Sequence, residues 1–233
     1  MNKIILSLIL MTTACFANEQ ENDFKPLTKE EIKTLSEAFG HFIGKTVNTP
    51  GVSFDLDSLI KGMRDEAAGR PSPLTDEQTE EMMKRMQVQA ISAMADANLE
   101  EAETFLQNNK SKPDVREIVP GKLQAAVIKE GRGESVTEND TPVVHFTGTF
   151  LSGDTFTSTE QLGKAIPLPL DGTIEGFKKG VPGMKEGEKR RLFIHPDLAY
   201  GTSGHLPPNS LLIFEIEVVK ANATEEDEAP EGN

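Results

Sequence analysis

The fold class of this 233-residue chain is decided by the stretch Val143-Val144-His145-Phe146-Thr147-Gly148-Thr149-Phe150, which the turn Ser152-Gly153-Asp154 follows. β-branched and aromatic residues ended by a turn cluster are typical of a strand in an antiparallel sheet. Four more runs share this pattern: Leu123–Lys129, Ile166–Leu170, Lys189–His195 and Leu211–Lys220. One short helical stretch, Glu175–Gly180, interrupts them. About five strands and one short helix predict an α+β domain, which we assign to residues 113–222.

Before Pro113, the apolar residues recur with the period of helices. Thr28-Lys29-Glu30-Glu31 and Thr75-Asp76-Glu77-Gln78 are both capping boxes, in which a hydroxyl precedes Glu or Gln by three residues. Apolar spacing predicts a helix from Thr28 to about Thr49, a second from Asp55 to Ala68 and a third of about 35 residues ending near Asn109. We therefore predict that residues 28–112 form an all-α region.

The third predicted helix has a thin apolar stripe, formed by Met82, Met86, Ala90, Met94, Ala97, Phe105 and Leu106. So narrow a stripe cannot support a globular core by itself. The helix is a linker, a coiled-coil partner or a spacer arm, and its methionines also fit simple packing against the first two helices.

The N-terminus has the pattern of a secretory signal peptide. Lys3 precedes the apolar run Ile4–Met11, which is too short to span a bilayer, and small residues follow. Cleavage after residue 17 would leave Asn18 as the first residue. The alternative is a lipoprotein signal covering residues 1–14, with Cys15 acylated as a membrane anchor. Both interpretations place the protein in an exported compartment of a bacterial cell envelope, the periplasm or the outer membrane, with surface exposure as a lipoprotein also open.

Charge and composition exclude several classes of function. The chain has 24 Lys and Arg against 38 Asp and Glu, a formal net charge of −14, which disfavours nucleic acid as a partner. One cysteine excludes an intrachain disulfide and a zinc site that needs two thiolates. The four histidines have no metal-ligand spacing, and no phosphate-binding or nucleophile motif is present, so we expect neither metal nor cofactor. Residues 18–27 and the acidic tail 223–233 are expected to be flexible and disordered, respectively.

Several motifs of the C-terminal region occur together in a recognisable order. They are Val143–Gly148, Gly153–Phe156, Ile174–Phe177, Gly180–Glu188, Pro196–Gly201 and Pro207–Phe214. In order and spacing they resemble the FKBP-type peptidyl-prolyl cis–trans isomerases. The secretory start, the capped helices and the long connecting helix resemble the macrophage infectivity potentiator (Mip) group of that family, and the last third is most similar to chlamydial members.

The resemblance implies an antiparallel sheet wrapped across one short helix, with an apolar pocket between them. By motif position, it implies catalytic roles for Tyr200, Phe156 and Phe177, with Phe177 as the pocket floor. It implies substrate-binding roles for Phe146, Thr157, Ile166, Thr173, Ile174, His205, Leu206 and Phe214. The Tyr200 hydroxyl and the Ile174 N–H would each donate to a substrate carbonyl. Taken singly, the phenylalanines on the strands also fit a purely structural role in the core.

The chain departs from the family pattern at four of these positions. The family often has Tyr at Phe146, Asp at Thr157, Val at Thr173 and Trp at Phe177. We expect isomerase activity to survive these changes. Because Thr157 supplies no carboxylate at the pocket mouth, affinity for macrolide inhibitors should be weaker.

These observations predict a prolyl isomerase that assists the folding of exported, proline-containing polypeptides and forms a homodimer through residues 28–109. Two alternatives stay open at this point. One is a holdase-type chaperone of the periplasm, in which helical arms bind unfolded clients. The other is a surface virulence factor that contacts host molecules, with the C-terminal domain as a binding module.

Overall fold

The computed structural model describes residues 25–47 and 51–224. The chain divides into two compact units after Val47. The signal-peptide and lipid-anchor predictions, most of the segment 18–27 and the tail from residue 225 onward lie outside the described residues. Within the described ranges, no helix is both long and apolar enough to cross a membrane.

The described part of the first unit contains one helix, α1 (Lys29–Thr46). Its start is the predicted capping box, in which the Thr28 hydroxyl accepts from the Glu31 N–H and the Glu31 carboxylate accepts from the Thr28 N–H. No residue of α1 is buried. The helix therefore presents its apolar side chains to solvent.

The second unit begins with two more helices, α2 (Leu56–Ala67) and α3 (Asp76–Asn109). Asp55 caps α2, and Gly69, with a φ of +68°, follows its end. Thr75 and Gln78 form the predicted capping box of α3. The predicted helix positions are confirmed to within a few residues, because capping chemistry is local in sequence.

The C-terminal half of α3 packs on the sheet and is not a free arm. Ala102 and Leu106 are buried in a cluster with Ala126, Phe193 and Leu211. The buried positions of α3 are Ala95, Ala102, Leu106 and Asn109, which share only Leu106 with the predicted stripe. Small alanines let the helix approach the sheet closely, and the apolar stripe of larger side chains did not predict this face.

Seven strands form one antiparallel sheet in the order β1-β2-β6-β7-β3-β4, with β5 paired to β3. They are β1 (Val115–Val119), β2 (Leu123–Lys129), β3 (Val143–Thr149), β4 (Thr155–Ser158), β5 (Ile166–Pro167), β6 (Lys189–Ile194) and β7 (Leu212–Lys220). Strands β1 and β4, at the two ends of this order, were not predicted because they are short and rich in polar residues. Strand β5 is shorter than the predicted run, since Pro167 and Pro169 cannot donate to a ladder.

The short helix α4 (Glu175–Gly180) packs on the sheet through two glycines. A Cβ atom at Gly176 would lie 2.5 Å from the Ile194 side chain, and one at Gly180 would lie 2.6 Å from Leu192. Only glycine permits this approach, which brings Phe177 into the main core. The predicted α+β class, with a helical N-terminal region before an antiparallel sheet, is confirmed.

A buried ion pair fixes the C-terminal end of α4. The Arg190 guanidinium on β6 donates to the Glu188 carboxylate at 2.7 and 2.8 Å, and both side chains are about 5% exposed. The guanidinium also donates to the Gly180 carbonyl at 2.7 Å. Glu188 in turn accepts from the Lys185 N–H. Arg190 therefore satisfies one of the carbonyls that a helix end leaves without an intrahelical partner.

Candidate active site

A cavity of about 590 Å³ lies where α4, strands β3, β4 and β7 and the loop after Tyr200 meet. It is lined by Phe146, Phe156, Thr157, Leu168, Gly172, Thr173, Ile174, Phe177, Tyr200, Gly204, His205, Leu206 and Phe214. Every residue that the family resemblance places in the pocket is among these, except Ile166. Residues from five separate chain segments thus converge on one cavity.

Four phenylalanine rings form the floor and back wall of the cavity. The Phe214 ring lies 4.6 Å from Phe177, 5.5 Å from Phe156 and 6.0 Å from Phe146, measured between ring centres, and each contact is edge-on. Phe177 and Phe214 are both 4% exposed. Edge-on pairs at this separation are favourable beyond the area that they bury. The rings therefore form a rigid apolar surface.

Gly148 makes room for this aromatic cluster. A Cβ atom there would lie 2.7 Å from the Phe156 ring, 2.8 Å from the Phe214 ring and 2.8 Å from the Thr157 methyl group. Gly148 pairs with Thr157 on β4 and with Phe214 on β7. A side chain on β3 at this point would occupy the space that the two rings fill.

The Tyr200 hydroxyl and the Ile174 N–H are hydrogen-bond donors at the cavity that have no partner among the described residues. Tyr200 is 47% exposed, and its hydroxyl makes no hydrogen bond within the described part of the chain. The same is true of the N–H of Ile174, the N-cap residue of α4. The Thr173 hydroxyl, by contrast, already donates to the Leu170 carbonyl at 2.7 Å. The cavity therefore offers a phenol and a backbone N–H to a bound carbonyl.

His195 holds the segment that leads to Tyr200. The Asp197 N–H donates to His195 Nδ1 at 3.1 Å, which caps the 3₁₀ turn Pro196–Leu198. Burial lowers the pKa of His195 below its ordinary value of 6.5, and the Asp197 carboxylate opposes that shift. A neutral imidazole with an unprotonated Nδ1 is the form that accepts this bond.

Helix α3 holds the far end of the same loop. Asn98 Nδ2 donates to the Pro208 carbonyl at 2.7 Å, and Asn209 Nδ2 donates to the Ala95 carbonyl at 3.2 Å. Asn209 has a φ of +53°, a left-handed conformation that asparagine tolerates better than most residues. These two side-chain amide bonds, which we call the amide clamp, hold α3 against the loop. Each joins residues more than a hundred positions apart, so no local sequence pattern predicts it.

Ile166 is the predicted substrate-binding residue that does not line the cavity. It pairs with Val144 in β5, whereas Leu168, just past the end of that strand, lines the cavity. Gly172 and Gly204 were also missed, because glycines carry no side chain that marks a pocket. The family motif indicated this segment, and within it Leu168 lines the cavity and Ile166 does not.

Among the described residues, no Asp, Glu, Lys or Arg lines the cavity, and its titratable lining residues are Tyr200 and His205. Across residues 25–47 and 51–224, no group of three His, Cys, Asp or Glu side chains could hold a metal ion. Apolar walls with free donors beside them can bind a peptide segment, exclude water from it and donate to its carbonyls. This arrangement suits a conformational change of a bound peptide.

Comparisons with known proteins agree with this geometry. The model of the FKBP-type peptidyl-prolyl cis-trans isomerase family matches residues 133–219, and the model of the domain amino terminal to that isomerase matches residues 32–125. The peptidyl-prolyl cis-trans isomerase Mip of Chlamydia trachomatis is 48% identical over 189 residues, which cover 81% of this chain and 78% of that protein.

Two further relatives extend over more of the chain. The outer membrane protein MIP of Legionella longbeachae is 32% identical over 93% of this chain and 96% of that protein. The crystal structure of FkpA from Escherichia coli aligns with a TM-score of 0.62 at 27% identity, over 84% of this chain and 97% of that one.

The fold and the cavity define a prolyl isomerase. The chain belongs to the FKBP-type peptidyl-prolyl cis–trans isomerases and is similar to their Mip members. The predicted family and enzyme class are confirmed, and the family assignment favours the isomerase over the two alternative functions.

Proposed function

We propose that the aromatic cavity binds the X-Pro segment of unfolded, exported polypeptides, with Phe177 as its floor, and that Tyr200, Phe156 and Phe177 form the catalytic surface. The observation that carries this proposal is the cluster of edge-on rings beside the unpartnered Tyr200 hydroxyl and Ile174 N–H. Macrolide inhibitors enter the same cavity, with weaker affinity because Thr157 supplies no carboxylate.

The chemistry needs no group that donates or removes a proton. Rotation about a peptide bond faces a barrier of about 18–20 kcal/mol, because C–N resonance is lost as the bond twists. The twisted imide has less charge separation than the planar one, so a dry apolar cavity disfavours it less. The cavity binds the twisted form better than the planar one, and that difference lowers the barrier. The Tyr200 hydroxyl and the Ile174 N–H hold the neighbouring carbonyls.

Steady-state kinetics of X-Pro peptide isomerisation tests this assignment. Phe156→Ala should lower kcat/KM by about ten- to a hundredfold, from the ~1.5–3 kcal/mol that a buried phenyl ring contributes. Tyr200→Phe, which removes one donor, should lower it by about three- to tenfold. Phe54→Ala removes a partly exposed ring far from the cavity in sequence and should leave kcat/KM unchanged. Equal kinetics in all four proteins would overturn the assignment.

We propose further that the protein is a homodimer, with α1 supplying a central contact of the predicted region 28–109. Ile32, Leu35, Phe39 and Phe42 are all more than half exposed and lie on one face of α1. Most helical stability in proteins comes from packing of an apolar face, and Gly40 and Gly44 weaken α1 further. Burial of the apolar face against α1 of a second copy would remove these side chains from water and stabilise the helix.

The N-terminal residues and the relatives support a location in the cell envelope. The apolar run Ile4–Met11 is a signal peptide by its pattern, and one relative is named an outer membrane protein. The mass of the mature N-terminus distinguishes the two cleavages, since it begins either at Asn18 or at an acylated Cys15. An uncleaved N-terminus starting at Met1 in bacterial cells would contradict export by this signal.

A further inference from the structure

A second groove lies beside the aromatic cavity, between α3 and two loops. It has a volume of about 500 Å³, and its lining residues are Met94, Asn98, Glu101, Phe150, Leu151, Ser152, Asp154, Pro207, Ser210 and Leu211. Its apolar surface includes Met94, Phe150 and Leu211, the last of them 2% exposed. The family motifs predicted no role for this groove.

The groove adjoins the aromatic cavity at two places. The Phe150 ring lines the groove and packs against the Phe156 ring, which lines the cavity, with 4.8 Å between ring centres. On the opposite side Leu206 lines the cavity and Pro207, the next residue, lines the groove. The cavity and the groove are therefore neighbouring sites.

The amide clamp makes the groove a fixed feature. The bonds from Asn98 to the Pro208 carbonyl and from Asn209 to the Ala95 carbonyl hold α3 against the loop that forms one wall. The buried Leu106 and Ala102 anchor the same helix to the sheet a little further along. The groove is therefore present before a polypeptide binds, so binding incurs no cost for forming it.

The charges of the groove have one sign. In the part of the chain that the structure describes, Glu101 and Asp154 are its charged lining residues, and no Lys, Arg or His lines it. Asp154 accepts a hydrogen bond from the Ser152 hydroxyl at 2.7 Å, and within the described ranges neither carboxylate forms an ion pair. The groove thus combines an apolar floor with two unneutralised carboxylates.

We propose that this groove is an extension subsite of the isomerase, which binds the polypeptide segment next to the X-Pro bond and prefers an apolar residue followed by a basic one. The proposal rests on the proposed role of the aromatic cavity. Its occupant is the substrate chain itself, because the groove adjoins that cavity and a chain longer than the X-Pro pair must leave the cavity over its neighbouring surface. Its preference for Lys or Arg follows from the two carboxylates.

The test compares X-Pro peptides that carry an extra arm of four residues, about 13 Å when extended, on either side of the X-Pro pair. Each arm contains a leucine and either a lysine or a glutamate. The measured quantity is the ratio of kcat/KM for the lysine peptide to that for the glutamate peptide. For wild type this ratio should be about two- to fivefold on one of the two arms, the range that partly exposed ion pairs provide.

Glu101→Gln combined with Asp154→Asn should bring this ratio close to one. Glu100→Gln combined with Glu81→Gln is the matched control, because it removes the same two charges from exposed positions of α3 outside the groove. The control should keep the wild-type ratio, which shows that local charge and not the net charge of −14 sets the preference.

Equal ratios in wild type, the groove variant and the control would overturn the subsite, as would a wild-type ratio of one on both arms. An X-Pro peptide without arms separates this outcome from failure of the cavity assignment. If wild type does not accelerate that short peptide, the proposed role of the cavity fails and the subsite fails with it. If the short peptide is accelerated while the arm ratios are equal, only the subsite fails.

Discussion

At the scale of single residues, the cavity depends on the missing side chain at Gly148. Alanine there would force the Phe156 and Phe214 rings apart, since its Cβ atom would lie less than 3 Å from both. Overpacking of this kind costs about 1–3 kcal/mol, so Gly148→Ala should lower both the free energy of unfolding and, by about tenfold, kcat/KM for an X-Pro peptide.

The control for this prediction is Gly62→Ala. Gly62 lies in α2, where no atom comes within 4 Å of an added Cβ, so this variant should keep the wild-type kcat/KM. Full activity in Gly148→Ala would mean that the positions of the two rings do not matter for catalysis.

His195 should make the stability of the protein depend on pH. Because burial lowers its folded-state pKa below 6.5, the unfolded chain takes up a proton first as the pH falls. The free energy of unfolding should therefore decrease as the pH falls below about 6.5. His195→Asn should reduce this decrease, since an Asn oxygen can accept the bond from the Asp197 N–H without titrating. Denaturant unfolding at about pH 7.5 and about pH 5.5 measures the free energy of unfolding of both proteins. The same decrease between these pH values in wild type and in His195→Asn would contradict the account.

Sequence motifs indicated most of the residues that line the cavity but missed the residues that hold them in place. Phe177 and Tyr200 lie within short strings that keep a characteristic spacing. The roles of Gly148 and Asn209 depend on contacts with residues far along the chain, the Phe214 ring and the Ala95 carbonyl. Such contacts exist only after the sheet and α3 have come together, so no local pattern reports them.

At the scale of elements, the buried pair Arg190–Glu188 should determine how firmly α4 is held. Arg190→Met leaves the Glu188 carboxylate without its cation and should cost about 3–5 kcal/mol of unfolding free energy. The double variant Arg190→Met with Glu188→Leu should cost less than the single one, because no buried charge is left unpaired. Denaturant titrations of the three proteins measure both values.

The neighbouring pair Arg191–Glu215 is the matched control. It joins the next position of β6 to β7 but is partly exposed, with Arg191 at 44% and Glu215 at 32%. Arg191→Met should therefore cost only about 0–1 kcal/mol. Equal costs for Arg190→Met and Arg191→Met would contradict the role given to burial.

Helices were easier to predict than strands for a physical reason. The capping boxes at Thr28 and Thr75 contain all their donors and acceptors within four residues, so the sequence alone indicates them. Strand β4 has only four residues, and its pairing depends on β3. The buried face of α3 was missed because its small residues matter only where the sheet approaches them.

At the scale of the whole molecule, the exposed face of α1 should set the oligomeric state. Phe39→Asp combined with Phe42→Asp puts two charges on the apolar face and should convert the dimer to a monomer in sedimentation velocity. Thr34→Asp combined with His41→Asp adds charges to the opposite face of α1 and should leave the dimer intact. A wild-type protein that sediments as a monomer at micromolar concentration would contradict the proposed dimer.

The central claim is that the aromatic cavity of this chain isomerises X-Pro bonds. NMR exchange spectroscopy tests it most directly, with a short X-Pro peptide whose cis and trans forms give separate signals and a substoichiometric amount of the protein. The uncatalysed exchange takes tens of seconds or more. The account predicts exchange cross-peaks on the millisecond-to-second scale, together with shifts of the Ile174 amide signal at the cavity. An exchange rate equal to that of the peptide alone would contradict it.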